Sequence, residues 1–181
     1  MLEGEAMSEL DIVERAYGCA FCYTGREQAA AQHIERICDN TRAIVAQQVK
    51  VRTIKKETFT ETKVLYPGYV FFEAPVHEKS FLRIHKEENV ISILKSEKGE
   101  WQLYGNDAKL VQWLFSYGGL ISFSQAYQEG DRIKIISGPL KDMEHNIIRV
   151  DKRLKGAQVL MTFCGREIPT WLRYELVEKI E

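Results

Sequence analysis

The segment Tyr66-Pro67-Gly68-Tyr69-Val70-Phe71-Phe72 constrains the fold more than any other stretch of this chain. Its Pro-Gly pair suits a tight turn, because proline presets the first central position and glycine accepts the positive φ of the second. The next four residues, three aromatic and one β-branched, favour an extended strand. Period two places Tyr69 and Phe71 on one face, with Val70 and Phe72 on the other. One face has to pack on helices. The other is either further core or an uncovered aromatic surface of the kind a protein partner grips, with Phe21 of an earlier strand beside it.

Around this strand the chain reads as an α+β domain. Tyr17 to Tyr23 alternates large and small residues as a strand, and Thr24-Gly25 breaks it. A helix is expected from about Arg26 to Cys38, with Ala30, Ile34, Ile37 and Cys38 as its apolar stripe. Ala43 to Val51 reads as one strand, and the polar stretch Arg52 to Lys63 as a mobile hairpin or loop. A second helix around Phe81–His85, a strand at Val90–Leu94 and a third helix near the capping residues Asn106-Asp107 complete the half. The order β-α-β-β-α-β-α predicts an antiparallel sheet with helices on one face.

Beyond the turn Ser116-Tyr117-Gly118-Gly119 the character changes. The remaining residues carry five short strands with turns at close intervals, at 131–136, 146–151, 157–163, 166–171 and 176–179. Glu129-Gly130-Asp131 and Gly138-Pro139 bracket the first of them. Some 55 residues of this kind fit a small SH3-like barrel, whose closure removes strand edges. The expected division is an acidic leader over 1–14, an α+β domain over 15–118, a linker over 119–128 and a barrel over 129–181.

Charge separates the same regions. Residues 1–126 hold 15 Lys and Arg against 17 Asp and Glu, whereas residues 132–173 hold nine against four. Arg149, Lys152, Arg153 and Lys155 crowd one hairpin, with Lys141 in the preceding turn, so the barrel is the candidate for an RNA phosphate contact. The alternative is a charged hairpin tip that keeps the domain soluble. On the first helix His33 and Arg36 lie one turn apart, off the apolar stripe. They are candidates for a DNA contact or an ordinary solvated face.

Cys19 and Cys22 have metal-ligand spacing, but within a strand an odd separation sends them to opposite faces, so free thiols and no metal are expected. No phosphate-binding glycine loop, nucleophile elbow or His-Glu metal motif occurs, and the expectation is no enzyme and no cofactor. No apolar run nears the roughly 20 residues of a membrane span, and the acidic N-terminus is the reverse of a secretory signal. A cytoplasmic monomer without membrane contact is expected.

Tyr66-Pro67-Gly68-Tyr69-Val70-Phe71 resembles the signature strand of the N-terminal (NGN) domain of the NusG family of transcription elongation factors. Gly130-Asp131 with Gly138-Pro139-Leu140 resembles that family's KOW motif, and Phe163-Cys164-Gly165-Arg166-Glu167-Ile168-Pro169 its later hairpin. The glycine usual near His145 is missing. Ala29 to Arg36 is similar to the first helix of specialised, operon-restricted paralogues, which suggests that kind, such as the LoaP type. The resemblance implies an NGN-like domain that binds RNA polymerase through Phe21, Tyr69 and Phe71. It implies suppression of pausing or termination, and non-template DNA as a possible partner of His33 and Arg36. It also implies a KOW barrel that contacts nascent RNA, a hairpin by preference, through Lys141, Arg149, Lys152, Arg153 and Lys155. The alternative is a housekeeping factor whose barrel recruits ribosomal protein S10 or Rho.

Overall fold

The computed structural model describes residues 14–178 apart from His77 and Glu97. The acidic leader, save Glu14, therefore lies outside the described residues. The aromatic strand is β5 (Tyr69–Pro75), and it is central in a four-stranded sheet. It pairs antiparallel with β1 (Arg15–Cys22) on one side and β2 (Arg42–Ile44) on the other. Strand β6 (Val90–Ile93) completes the sheet beyond β1.

Helices α1 (Glu27–Ile37) and α2 (Glu78–His85) cover one face. Ala30, Ala31 and Ile34 of α1 and Ile84 of α2 bury Ala20, Cys22, Val70 and Phe72. Helix α3 (Gly105–Ser116) does not join them; Leu110, Val111, Trp113 and Leu114 lie with Cys19 and Phe71 on the opposite face. The expected one-sided helical layer is thus corrected to helices on both sides. Period-two alternation is kept, and it sends Cys19 and Cys22 into different cores as free thiols. Gly18 faces Phe72 across the pair β1–β5, and a Cβ there would sit 2.3 Å from the ring. That missing side chain lets Phe72 stack on Trp101, with centroids 5.6 Å apart.

One sequence expectation fails between residues 43 and 64. Ala43 to Val51 is not one strand: β2 ends at Ile44, and β3 (Gln47–Ile54) begins in a different sheet. The switch is made by new backbone partners, Gln47 N–H donating to the Gly119 carbonyl and Leu65 N–H to that of Ala46. Its local mark is slight, the polar pair Gln47-Gln48 that ends the apolar run Ala43-Ile44-Val45-Ala46. Of the two readings of Arg52 to Lys63, hairpin or loop, the structure has the hairpin, with β3 paired to β4 (Glu57–Val64) over eight residue pairs. Strand β7 (Leu120–Ile121) flanks β3 in parallel.

The barrel is a five-stranded sheet in the order β10-β11-β12-β8-β9. Its strands are β8 (Ser124–Glu129), β9 (Arg132–Ser137), β10 (Ile147–Asp151), β11 (Gly156–Phe163) and β12 (Arg166–Leu176). A short helix, α4 (Pro139–Asp142), crosses between β9 and β10. The stretch expected to be linker, 119–128, therefore carries β7 and most of β8. The strand expected at 166–171 runs on to Leu176 as β12; of the one expected at 176–179 only Leu176 is strand, and Lys179 lies outside the described residues. Strand β12 bends from its antiparallel pairing with β11 to a parallel pairing with β8 at Tyr174–Leu176, which closes the curl.

Glu73 of β5 ties three strands of the first sheet together. Arg42 Nε donates to it at 2.8 Å from β2, and Arg15 Nε lies 3.4 Å away on β1. Partial burial pushes its carboxyl up, but the two guanidiniums outweigh that and hold it below its ordinary value of 4.5. A depressed carboxyl stabilises the fold above its unfolded-state pKa, and the contribution is lost as pH falls through the folded-state value. Glu73→Gln is expected to cost about 1 kcal/mol at neutral pH and to flatten the acid limb below pH ~4. Urea denaturation of both proteins at neutral and acid pH checks this.

Candidate functional site

The aromatic face of β5 is built from its own corner outward. Gly68, at φ +82°, turns the chain into the strand. The buried carboxylate of Glu27 accepts hydrogen bonds from Gly68 N–H at 2.7 Å and Gly25 N–H at 2.8 Å. One acidic side chain at the start of α1 thereby fixes the turns that deliver both Phe21 and Tyr69. Their rings meet at 5.4 Å, and Tyr66 meets Phe71 edge-on at 5.6 Å. Phe21, Tyr69 and Phe71 do come together as one ridge.

The ridge is not open along its whole length. Phe163, at the end of β11 in the barrel, sits against it with ring centroids 5.4 Å from Phe71, 6.1 Å from Tyr66 and 6.3 Å from Tyr69. Phe71 is fully buried, while Tyr69 and Phe21 stay half-buried. The expectation that Phe71 is exposed is corrected: the barrel covers it. The core running under Phe71 is consequently shared, with Leu110, Val111 and Leu114 of α3 on one side and Val159, Met161 and Leu172 of the barrel on the other.

Polar contacts fasten this seam at several points. Tyr66 O–H donates to Met161 Sδ at 3.2 Å, and burial raises its phenol well above the ordinary 10.0. Cys164 N–H donates to Asp107 Oδ1 at 2.9 Å. Asp107, expected to cap its own helix, instead caps a turn of the other domain; Tyr104 occupies the N-cap of α3 without a side-chain bond. Gln48 donates its amide to the Trp171 carbonyl. Tyr117 O–H reaches Asp142 at 2.5 Å, and burial together with this bond pushes its phenol up to about 12.

The other expected site residues separate into three places. His33 is not free on the surface: its Nδ1 lies 2.8 Å from Glu87, which also accepts from Asn89. Glu88 brings a second carboxylate near, so His33, Glu87 and Glu88 gather within 4.8 Å. Arg36 remains exposed. Lys152, Arg153 and Lys155 are exposed on the β10–β11 turn, and Arg149 lies 5.9 Å over the Trp171 ring. Lys141 belongs elsewhere, on α4, in an ion pair with Glu144 at 2.6 Å. α4 abuts α3 through Asp142 and Met143, which share a cleft with Asn106 and Lys109. The preceding turn does not deliver Lys141 to the basic hairpin because the helix carries it to that side. Among the described residues no helix is long and apolar enough to cross a membrane.

Comparison with known proteins agrees with this arrangement. A family described as transcription termination factor nusG matches residues 17–110. The transcription termination/antitermination protein NusG of Borreliella burgdorferi is 28% identical over 143 residues, covering 72% of this chain and 77% of that protein. Its counterpart in Synechocystis is also 28% identical, over 72% of this chain and 68% of its own. A solved structure titled "Domain interaction in Thermotoga maritima NusG" shares the fold, with a TM-score of 0.55 at 21% identity, covering 88% of this chain and 94% of that one. These define a transcription factor of the termination and antitermination class, built as an α+β domain followed by a small KOW-type β-barrel. The chain belongs to the NusG family.

The seam itself is testable. Phe163→Ala removes the ring that covers the ridge, at a cost of about 3–5 kcal/mol shared between seam and barrel. Tyr66 favours its neutral form while covered, so its contribution holds below pH 10 and disappears as pH rises through the raised value. In Phe163→Ala the late-titrating Tyr66 phenol is expected to return toward its ordinary value. Ultraviolet phenolate titration, with Tyr66→Phe to identify the signal, measures that return.

Proposed function

We propose that this chain docks on elongating RNA polymerase through the Phe21–Tyr69–Phe71 ridge, suppresses pausing or termination, and uses the KOW barrel to contact nascent RNA. The observation that carries the reading is the ring-rich ridge itself, partly covered by Phe163 of the barrel. A partly apolar, ring-rich strip on a rigid sheet is a docking surface, and here it is shared with one phenylalanine from a second domain. Polymerase and barrel then contend for the same rings, and the covered form is the resting state.

Family membership supports the transcriptional role. The exposed Lys152–Lys155 turn supports the RNA contact, and Lys141 has no part in it. Non-template DNA, if contacted, meets Arg36; His33 is held by Glu87. The basic turn and the Ala29–Arg36 helix favour a specialised, operon-restricted factor, acting as a cytoplasmic monomer. A housekeeping factor whose barrel recruits ribosomal protein S10 or Rho is the second reading, favoured by the exposed apolar side chains Ile136, Ile148 and Val150 on the barrel.

The test is a polymerase pull-down with purified full-length protein. Tyr69→Ala together with Phe21→Ala is expected to weaken capture at least tenfold, a loss of about 1.4 kcal/mol or more. Phe163→Ala is expected to strengthen capture by uncovering the ridge. Undiminished capture by the first variant, with the fold intact by circular dichroism, overturns the docking assignment.

A further inference from the structure

The closed arrangement places two basic hairpins side by side, one from each domain. The β3–β4 hairpin carries Lys50, Arg52, Lys55, Lys56 and Lys63 against only Glu57 and Glu61. Strands β3 and β4 are eight residues each, so they reach about 26 Å. The β10–β11 turn of the barrel carries Lys152, Arg153 and Lys155, with Arg149 and Arg173 on the adjoining strands. Between the two hairpins lies a cleft of about 230 Å³, lined by Gln48, Lys50 and Val51 from the first domain and Leu154, Trp171 and Arg173 from the barrel.

Hydrogen bonds hold part of this lining in place. Gln48 bonds across the seam to the Trp171 carbonyl, and Arg173 donates to the Leu154 carbonyl, which fixes the turn against β12. Arg149 lies over the Trp171 ring, 5.9 Å from its centroid, outside the cleft lining itself. The Trp171 ring is half-buried. Two of the surrounding cations have exposed carboxylate partners, Arg52 with Glu61 at 3.1 Å and Lys152 with Asp131 at 3.8 Å. Such solvated pairs contribute little and exchange readily for phosphate. Lys50, Arg153 and Lys155 have no ion-pair partner among the described residues.

A cleft of this volume is below the roughly 300–1,000 Å³ of a pocket that encloses a whole ligand. It suits one planar ring laid beside an indole, with the chain of phosphates running out over both hairpins. Stacking on an aromatic side chain between basic walls is the chemistry of single-stranded nucleic acid, because a base inside a duplex cannot reach the ring. We infer that the two hairpins form one composite groove for single-stranded RNA, with a base against Trp171 and phosphates on Lys50 and Lys155. This rests on the RNA contact proposed above and adds a wall from the other domain. Both walls meet only when the domains are apposed, so bound RNA and the covered state of the aromatic ridge stabilise each other.

The test uses the full chain, an unstructured 12-nucleotide RNA of about that length, and fluorescence anisotropy at several salt concentrations. Lys50→Glu, a surface change outside the barrel, is expected to weaken binding about five- to tenfold. Lys50→Ala is expected to reduce the salt slope by about 0.7, as for one lost phosphate contact on a single strand. Phe163→Ala, remote from the cleft, should also weaken binding, because it loosens the apposition. If Arg153→Glu with Lys155→Glu abolishes binding while Lys50→Glu and Phe163→Ala change nothing, RNA sits on the barrel alone. The composite groove is then overturned and the RNA contact stands. If the unaltered chain binds no RNA, both fall. Equal or tighter binding of the matching single-stranded DNA overturns the assignment to RNA.

Discussion

The seating of Phe163 among Tyr66, Tyr69 and Phe71 decides what the rest of the molecule is. Without it, the first sheet ends in an apolar face that water must cover, and the barrel is a small module on the lower edge of independent stability. With it, α3, the first sheet and the barrel share one continuous core. The ring contacts are individually modest, of the order of 0.5–1.5 kcal/mol beyond area burial. Their weight comes from position, since all three partner rings lie where the barrel meets the first domain.

A contact of this kind sets a balance. It has to be strong enough to exclude water from Phe71 and weak enough to be displaced. The polar fasteners fit that balance. Asp107 to Cys164 and Tyr117 to Asp142 are single hydrogen bonds at the exposed margin, each worth little net because water replaces it when the seam opens. Tyr66 is different: its hydroxyl is buried and its partner is a thioether, a weak acceptor. Opening the seam returns that hydroxyl to water, which partly offsets the apolar area exposed. The seam thus combines a greasy centre with margins that open at small cost.

Much of this architecture was legible in the residues, and the exceptions share a cause. Alternation placed Tyr69 with Phe71 and separated Cys19 from Cys22, because period two is a property of one strand alone. The barrel was legible from its turns, Gly130-Asp131 and Gly138-Pro139, for the same local reason. What could not be read was anything decided by a distant partner. Ala43–Val51 reads as one strand despite its polar pair Gln47-Gln48, because the switch of sheets is made by a distant group, the carbonyl of Gly119. Asp107 has the chemistry of a helix cap and serves a turn 57 residues away. Glu27, on which the sequence raised no expectation, is the buried clamp of the Pro-Gly corner. Its one local hint was position, two residues after the glycine turn it closes. Phe71 was expected in the open because nothing near it names Phe163.

The same reasoning bears on the charges. A basic hairpin read alone, such as 149–155, says only that phosphate is welcome. Direction and selectivity need a second surface, and the fold supplies one by laying β3 along the barrel. That placement belongs to the seam: Gln48 reaches Trp171 in the same apposition that sets Phe163 against Phe71. The aromatic contact and the basic cleft are therefore two consequences of a single docking geometry. A change that loosens the rings also parts the cations, so exposure of the ridge and loss of the groove cannot be tuned independently within this chain. In the function proposed for this chain, Phe163 is therefore the side chain at which partner binding and nucleic-acid binding are coupled, since a change there acts on both.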